Sequence, residues 1–176
     1  MQYEDAIFKI PIESENYKQN SDFICKSIKD IIGTRIKTKN NRIIINTNLK
    51  TGLPLENINK IAGPMVEAWC CEVFSDIRDD LNNTYSLINV EAQQRLGVAD
   101  IILQFKINNV YSTGNVDVKA TAEDIPNSGK GPNITSYSRI RTEYVKDPDF
   151  LFIILSIKHK VYNLVLYARY RKDKRF

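Results

Sequence analysis

Residues 150–157 read FLFIILSI, a run in which every position but one is apolar. A strand of that composition has no natural solvent face, which places it in a sheet that other elements cover. Residues 98–107 (VADIILQFKI) read as a second buried strand, and residues 110–120 (VYSTGNVDVKA) as its antiparallel neighbour. Around them the period turns helical. Ile58, Ile61, Met65, Trp69, Val73, Ile77 and Leu81 recur at steps of three and four, which predicts a helix over residues 57–81. Gly63-Pro64 is expected to start or kink its regular part. A further helix is predicted over residues 135–146 and a further strand over 161–170. The order helix, strand, strand, helix, strand predicts an α/β fold, with helices packed on a central mixed β-sheet.

Upstream, Ser21 serves as a helix N-cap, Phe23, Ile24, Ile28, Ile31 and Ile32 form an apolar stripe, and Gly33 is expected to end that helix. Residues 36–48, with the run Arg42-Ile43-Ile44-Ile45, read as a hairpin or strand around Asn40-Asn41. With 176 residues and no repeat or linker, the chain reads as one domain. Within it, residues 1–56 are expected to form an N-terminal helix and hairpin suited to dimerisation or partner contact, residues 57–168 the main core, and residues 169–176 a basic tail.

Composition narrows the function classes. A hydrophobic fraction of 43% and a charged fraction of 26% fit a globular protein and exclude disordered or fibrous chains. No apolar run reaches the ~18 residues of a membrane span, and the opening MQYEDAIFKI is too acidic for a signal peptide. Three cysteines, two of them adjacent (Cys70 and Cys71), make neither a disulfide framework nor a metal knuckle. A reduced, cytoplasmic protein is expected. Its net charge of +4 is unevenly spread, since residues 101–176 carry 13 Lys+Arg against 7 Asp+Glu. That imbalance suits a polyanionic partner, or simply a solvated surface.

The residues that carry chemistry lie on the two central strands. Asp100 opens the first, while Asp117 and Lys119 sit two apart on the second and leave the same face. If the strands pair, two carboxylates and an ammonium converge. Two close carboxylates repel and favour a divalent cation, and hard oxygen ligands suit Mg²⁺. A neighbouring Lys can hold or deprotonate an attacking water and neutralise charge building on phosphorus. An acid-x-Lys triplet means little alone, and the alternative is a surface ion pair.

The ordered set Ala99-Asp100-Ile101-Ile102, Asp117-Val118-Lys119 and Pro132-Asn133-Ile134-Thr135-Ser136 resembles the PD-(D/E)XK nuclease superfamily. Within it the chain is similar to the EcoRV/HincII-like type II restriction endonucleases. The upstream segment Gly63-Pro64-Met65-Val66-Glu67 resembles the helix that supplies those enzymes with an acid. The likeness runs over residues 63–157, and Ala99 stands where the superfamily's name has proline. It implies a restriction-endonuclease-like core in which Asp100, Asp117 and the Val118 carbonyl hold Mg²⁺ and Lys119 orients the water. It also implies that Glu67 acts nearby, with Glu91 as its rival, and that cleavage leaves a 5′-phosphate and a 3′-hydroxyl.

Residues 122–134 (AEDIPNSGKGPNI) form a long polar loop after the catalytic strand, suited to reading DNA. Asn127, Ser128, Lys130 and Asn133 can address base edges, and Ser136, Ser138, Arg139 and Arg141 can address phosphates. The alternative is an ordinary surface loop. The tail from Arg169 to Phe176 is either a DNA clamp or a solvated terminus. His159 reads as exposed and uninvolved, Trp69 as core, Cys25, Cys70 and Cys71 as packing residues, and Tyr162, Tyr167 and Tyr170 as sheet packing. The leading expectation is a Mg²⁺-dependent type II restriction endonuclease acting on double-stranded DNA. A homodimer with residues 21–32 at its interface is expected, and a cognate DNA methyltransferase as genetic partner. Its rivals are a structure-specific repair or recombination nuclease and an inactive DNA-binding module.

Overall fold

A computed structural model describes residues 12–38, 41–49, 53–93, 97–123 and 137–162. Its elements run α1 (Tyr17–Lys37), α2 (Leu55–Asp79), β1 (Leu87–Ala92), β2 (Ile101–Ile107), β3 (Val110–Ala122), α3 (Tyr137–Lys146) and β4 (Leu151–His159). The four strands form one sheet in the order β1-β2-β3-β4. The first two pairings are antiparallel and β3 pairs with β4 in parallel, so the expected mixed sheet of an α/β fold is present. β2 and β3 are joined by Asn108 and Asn109, both at positive φ (48° and 65°). Asn tolerates that region better than most residues, and two such residues make the tight turn whose twist suits a hairpin.

Alternation decides what each strand buries. Ile101, Leu103 and Phe105 of β2 point inward with Val116 and Val118 of β3 and Leu151 and Ile157 of β4. They meet Ile24, Ile28, Ile31 and Ile32 of α1 and Val66, Cys70, Val73 and Phe74 of α2 in one cluster. Phe23 of α1 adds an edge-on contact to Phe105, with centroids 6.1 Å apart. Burial of this kind, at about 25 cal/mol per Å² of apolar surface, is what fastens the helices to the sheet. Arg35 of α1 and Asp76 of α2 form an ion pair at 2.5 Å on the outside.

Several elements depart from the sequence expectation. α1 starts from Asn16 rather than Ser21 and runs through Gly33 to Lys37, where the Thr38 hydroxyl donates to the carbonyls of Thr34 and Arg35. A Cβ at Gly33 would meet no neighbouring atom, so nothing there requires glycine, and packing of the isoleucine stripe overrides its low helix propensity. α2 begins at Leu55, ahead of Gly63-Pro64, and continues through Pro64. Residues 41–49 form no strand and are exposed throughout, because a run of isoleucines needs a pairing partner as well as β-propensity. β1 had no counterpart in the sequence reading. The apolar stripe of α1 is buried within the chain, leaving the predicted dimer helix a largely polar outer face.

α1 crosses the sheet at Gly114 of β3, where an added Cβ would stand 3.0 Å from Ile24 Cγ2 and 3.4 Å from Ile153 Cδ1. Gly114→Val should therefore overpack this seat and lower stability by about 1–3 kcal/mol. An unchanged urea midpoint in the variant would show that α1 does not rest on β3 as described.

Candidate active site

The β2–β3 ladder ends at Ile101 opposite Val116. One residue further, the Asp100 amide still donates to the Val116 carbonyl at 2.9 Å. Beyond that a side chain takes over: Asp100 Oδ2 accepts the Val118 amide at 2.7 Å. The Gln93 amide donates to the Asp100 carbonyl at 2.8 Å, holding the bend from the β1 side. The end of the hairpin thus fixes one carboxylate against the backbone of the next strand.

Asp117 is the one buried charged residue among the described residues, at 2% exposure. Its Oδ1 accepts Lys119 Nζ at 2.7 Å, as their spacing on one strand face requires. Its Oδ2 is buried without a hydrogen-bond partner. Burial pushes the Asp117 carboxyl above the usual range. The Lys119 ammonium opposes that rise and the nearby Asp100 carboxylate adds to it. Glu67 of α2 is half-buried and feels the same cluster. Its carboxyl is also raised, first by burial and then by Asp100, with Lys119 lowering it and Asp117 raising it. Glu91, the rival acid, is exposed on β1 and accepts Gln93 Nε2 at 3.2 Å.

Glu67 and Asp100 line a cavity of about 400 Å³ between α2 and the β1–β2 connection, together with Pro64, Cys71, Gln93 and Gly97. The sequence reading named none of the last three as site residues, and without β1 there was no reason to bring Gln93 beside Asp100. Among the described residues no three His, Cys, Asp or Glu side chains group closely enough to hold a metal unaided. The donor set suits a hard cation differently, through two carboxylates and backbone oxygen. A buried carboxylate oxygen without a partner is the atom such a cation would satisfy.

Arg139, in the first turn of α3, extends to the Gly97 carbonyl at 3.4 Å, next to the bend that carries Asp100. Ser138 is exposed and Arg141 half-buried on the same helix. Asn127, Ser128, Lys130, Asn133 and Ser136 lie outside the described residues, as do the basic tail and all but the first two residues of the strand expected over 161–170. Those two, Val161 and Tyr162, are not in a strand, and Tyr162 is exposed. Other side chains differ from expectation. His159 is half-buried at the end of β4, and Cys25 is exposed on α1 rather than packed. Cys70 is core, and burial pushes its thiol up to about 12. Trp69 packs half-buried against the core, as expected.

The sequence profile of the type II restriction endonuclease HpaI matches residues 4–167. The chain belongs to the HpaI family of type II restriction endonucleases. It is also 65% identical over 162 residues to the type II restriction enzyme HpaI of Haemophilus parainfluenzae. The aligned region is 92% of this chain and 64% of that relative, so the chain spans somewhat under two thirds of its length.

The raised carboxyls carry a stability consequence. A group whose folded pKa lies above its unfolded one stabilises the fold below the usual carboxylate range and loses that contribution as pH rises through the folded value. In metal-free protein at neutral pH, Glu67 therefore opposes folding. Glu67→Gln should raise Tm by a few degrees at pH 7 in chelator, and the gain should vanish near pH 4. A variant melting no higher than the parent at pH 7 would contradict the electrostatic reading of the cluster.

Proposed function

We propose that this chain is a Mg²⁺-dependent type II restriction endonuclease. It hydrolyses phosphodiester bonds in double-stranded DNA at a short specific sequence, leaving 5′-phosphate and 3′-hydroxyl ends. The observation that carries the reading is the buried, half-satisfied Asp117 between Lys119 and Asp100, in a member of the HpaI family. Asp100, Asp117 and the Val118 carbonyl would hold the cation. When bound, it supplies Lewis-acid polarisation of the phosphoryl group and charge neutralisation.

The protein's own groups do the rest. Asp100 is held in place by the Val118 amide, so its carboxylate does not have to be ordered when substrate arrives. The Lys119 side chain, 23% exposed, is fixed through Nζ by Asp117 at the rim, where it can orient the attacking water and face the charge that grows on the phosphate. Glu67 adds a third acid from α2, close enough to steer that water or a second cation. Asn127, Ser128, Lys130 and Asn133 read the DNA sequence, and Ser136, Ser138, Arg139 and Arg141 contact its backbone. Two copies of the chain act on a twofold-symmetric site in the cytoplasm, and a cognate DNA methyltransferase protects the host's own copies of that site.

Plasmid or phage DNA incubated with Mg²⁺ tests the proposal. Discrete fragments with ligatable 5′-phosphate ends are expected. Cutting confined to branched or flapped DNA would make this a repair nuclease instead, and binding without cutting would make it an inactive module. Lys119→Ala should lower cleavage by at least 10³-fold with duplex binding retained. Normal cutting by that variant would remove Lys119 from the active site.

A further inference from the structure

β3 and β4 pair in parallel with Asp117 opposite Ile154, Lys119 opposite Ser156 and Thr121 opposite Lys158. Residues opposite one another in a ladder share a face. Ser156 and Lys158 therefore leave the sheet on the side from which Asp117 and Lys119 project, and both are exposed. The opposite face of β4, with Leu151 and Ile157, is buried in the core. Nothing in the packing of β4 requires polar groups here, since Ile154 is 46% exposed on the same face without them.

The chemistry of this stripe is consistent along its length. From Lys119 outward it presents the Ser156 hydroxyl, the Thr121 hydroxyl and the Lys158 ammonium, with Lys160 following and seated 5.5 Å over the Tyr162 ring. Glu123 is the one acid in residues 118–123 and 151–162. A two-residue step along a strand is about 6.6–6.8 Å, close to the separation of neighbouring phosphates on one DNA strand. A hydroxyl directly across the ladder from Lys119 and an ammonium one such step further along match successive phosphates of a polyanion's backbone.

We propose that Ser156 and Lys158 form a phosphate-binding subsite on β4. It holds the DNA backbone next to the phosphate that Lys119 faces and sets the strand's register in the active site. The proposal rests on the endonuclease reading above. Ser156 donates its hydroxyl proton to a phosphate oxygen, Lys158 neutralises the adjoining phosphate, and one condensed counterion is released.

Salt titration of binding reads that counterion directly. The full chain is titrated in chelator with a fluorescent duplex of arbitrary sequence, at several salt concentrations. Each neutralised phosphate contributes about 0.9 to the slope of log affinity against log salt. Lys158→Gln should reduce the slope by about 0.9 and weaken two duplexes of unrelated sequence by the same factor. Ser156→Ala should weaken both without changing the slope. Lys106→Gln, at the hairpin end of β2, should change neither. If wild-type protein binds duplex and Lys158→Gln keeps the full slope, the subsite is refuted while the endonuclease reading stands. An equal loss in Lys106→Gln would refute it too, because the charge effect would then be diffuse. If wild-type protein binds no duplex at all, the endonuclease reading falls and this proposal with it.

Discussion

A carboxylate at 2% exposure with one oxygen on an ammonium and the other on nothing is the constraint around which this protein is organised. Burying a charge is unfavourable by several kcal/mol unless it is paired, and Asp117 is only half paired. Every nearby feature either limits that penalty or adds to it. Lys119 limits it from two residues away on the same strand. Asp100 and Glu67 add to it, and their carboxylates are held in place by the Val118 amide and by α2 respectively. A protein selected for stability alone would have replaced Asp117 with a neutral residue. Keeping it is reasonable where a divalent cation or a developing charge supplies the missing partner.

Such a site needs a frame that does not relax to relieve the repulsion. β3 supplies it by pairing with β4 through Asp117 on one edge, while on the other the β2 ladder reaches Val116 and the Asp100 carboxylate takes the Val118 amide, so neither edge is free to move the carboxylate aside. α1 rests on Gly114 near the start of the same strand, and α2 covers the core while carrying Glu67. At the far end of α3, Tyr144 ties the frame together. Its hydroxyl meets that of Tyr17 at 2.9 Å, and its ring stands edge-on to Phe150 at 5.2 Å. The burial of this tyrosine pair pushes the Tyr17 hydroxyl above its ordinary range, which keeps it neutral and a hydrogen-bonding group at any physiological pH.

What the sequence made legible followed from how local the cause was. The Asp117–Lys119 contact is fixed by the two-residue period of a strand, so it could be read without knowing the fold. The hairpin that brings Asp100 to Val118 was nearly as local, because Asn108-Asn109 separates two alternating runs. β1 was illegible because a register shift between Leu87 and Asn89 leaves the burial pattern BeeBee in place of clean alternation. Ile43-Ile44-Ile45 misled in the opposite sense, since composition signals a strand and only a tertiary partner makes one. Gly33 failed as a stop because the helix around it is held by core contacts. The proximity of Gln93 and Cys71 to Asp100 depends on β1 and α2 meeting, which no spacing in the sequence encodes.

The parallel pairing of β3 with β4 has a further consequence for how fold and chemistry are joined. In register, Leu151, Ile153, Leu155 and Ile157 face the core while Ser156 and Lys158 stand beside Lys119. A slip of one residue would reverse every side chain. It would turn a lysine and a serine into the core and expose the apolar row to water. The same alternation that makes β4 bury correctly therefore holds its polar groups on the face that carries Asp117 and Lys119, and the hydrophobic effect sets the positions of groups that take no part in it. A strand such as β4 can vary its outward residues freely, because packing answers only to the inward ones. Relatives with the same core could thus differ in the groups they present at this edge without loss of fold.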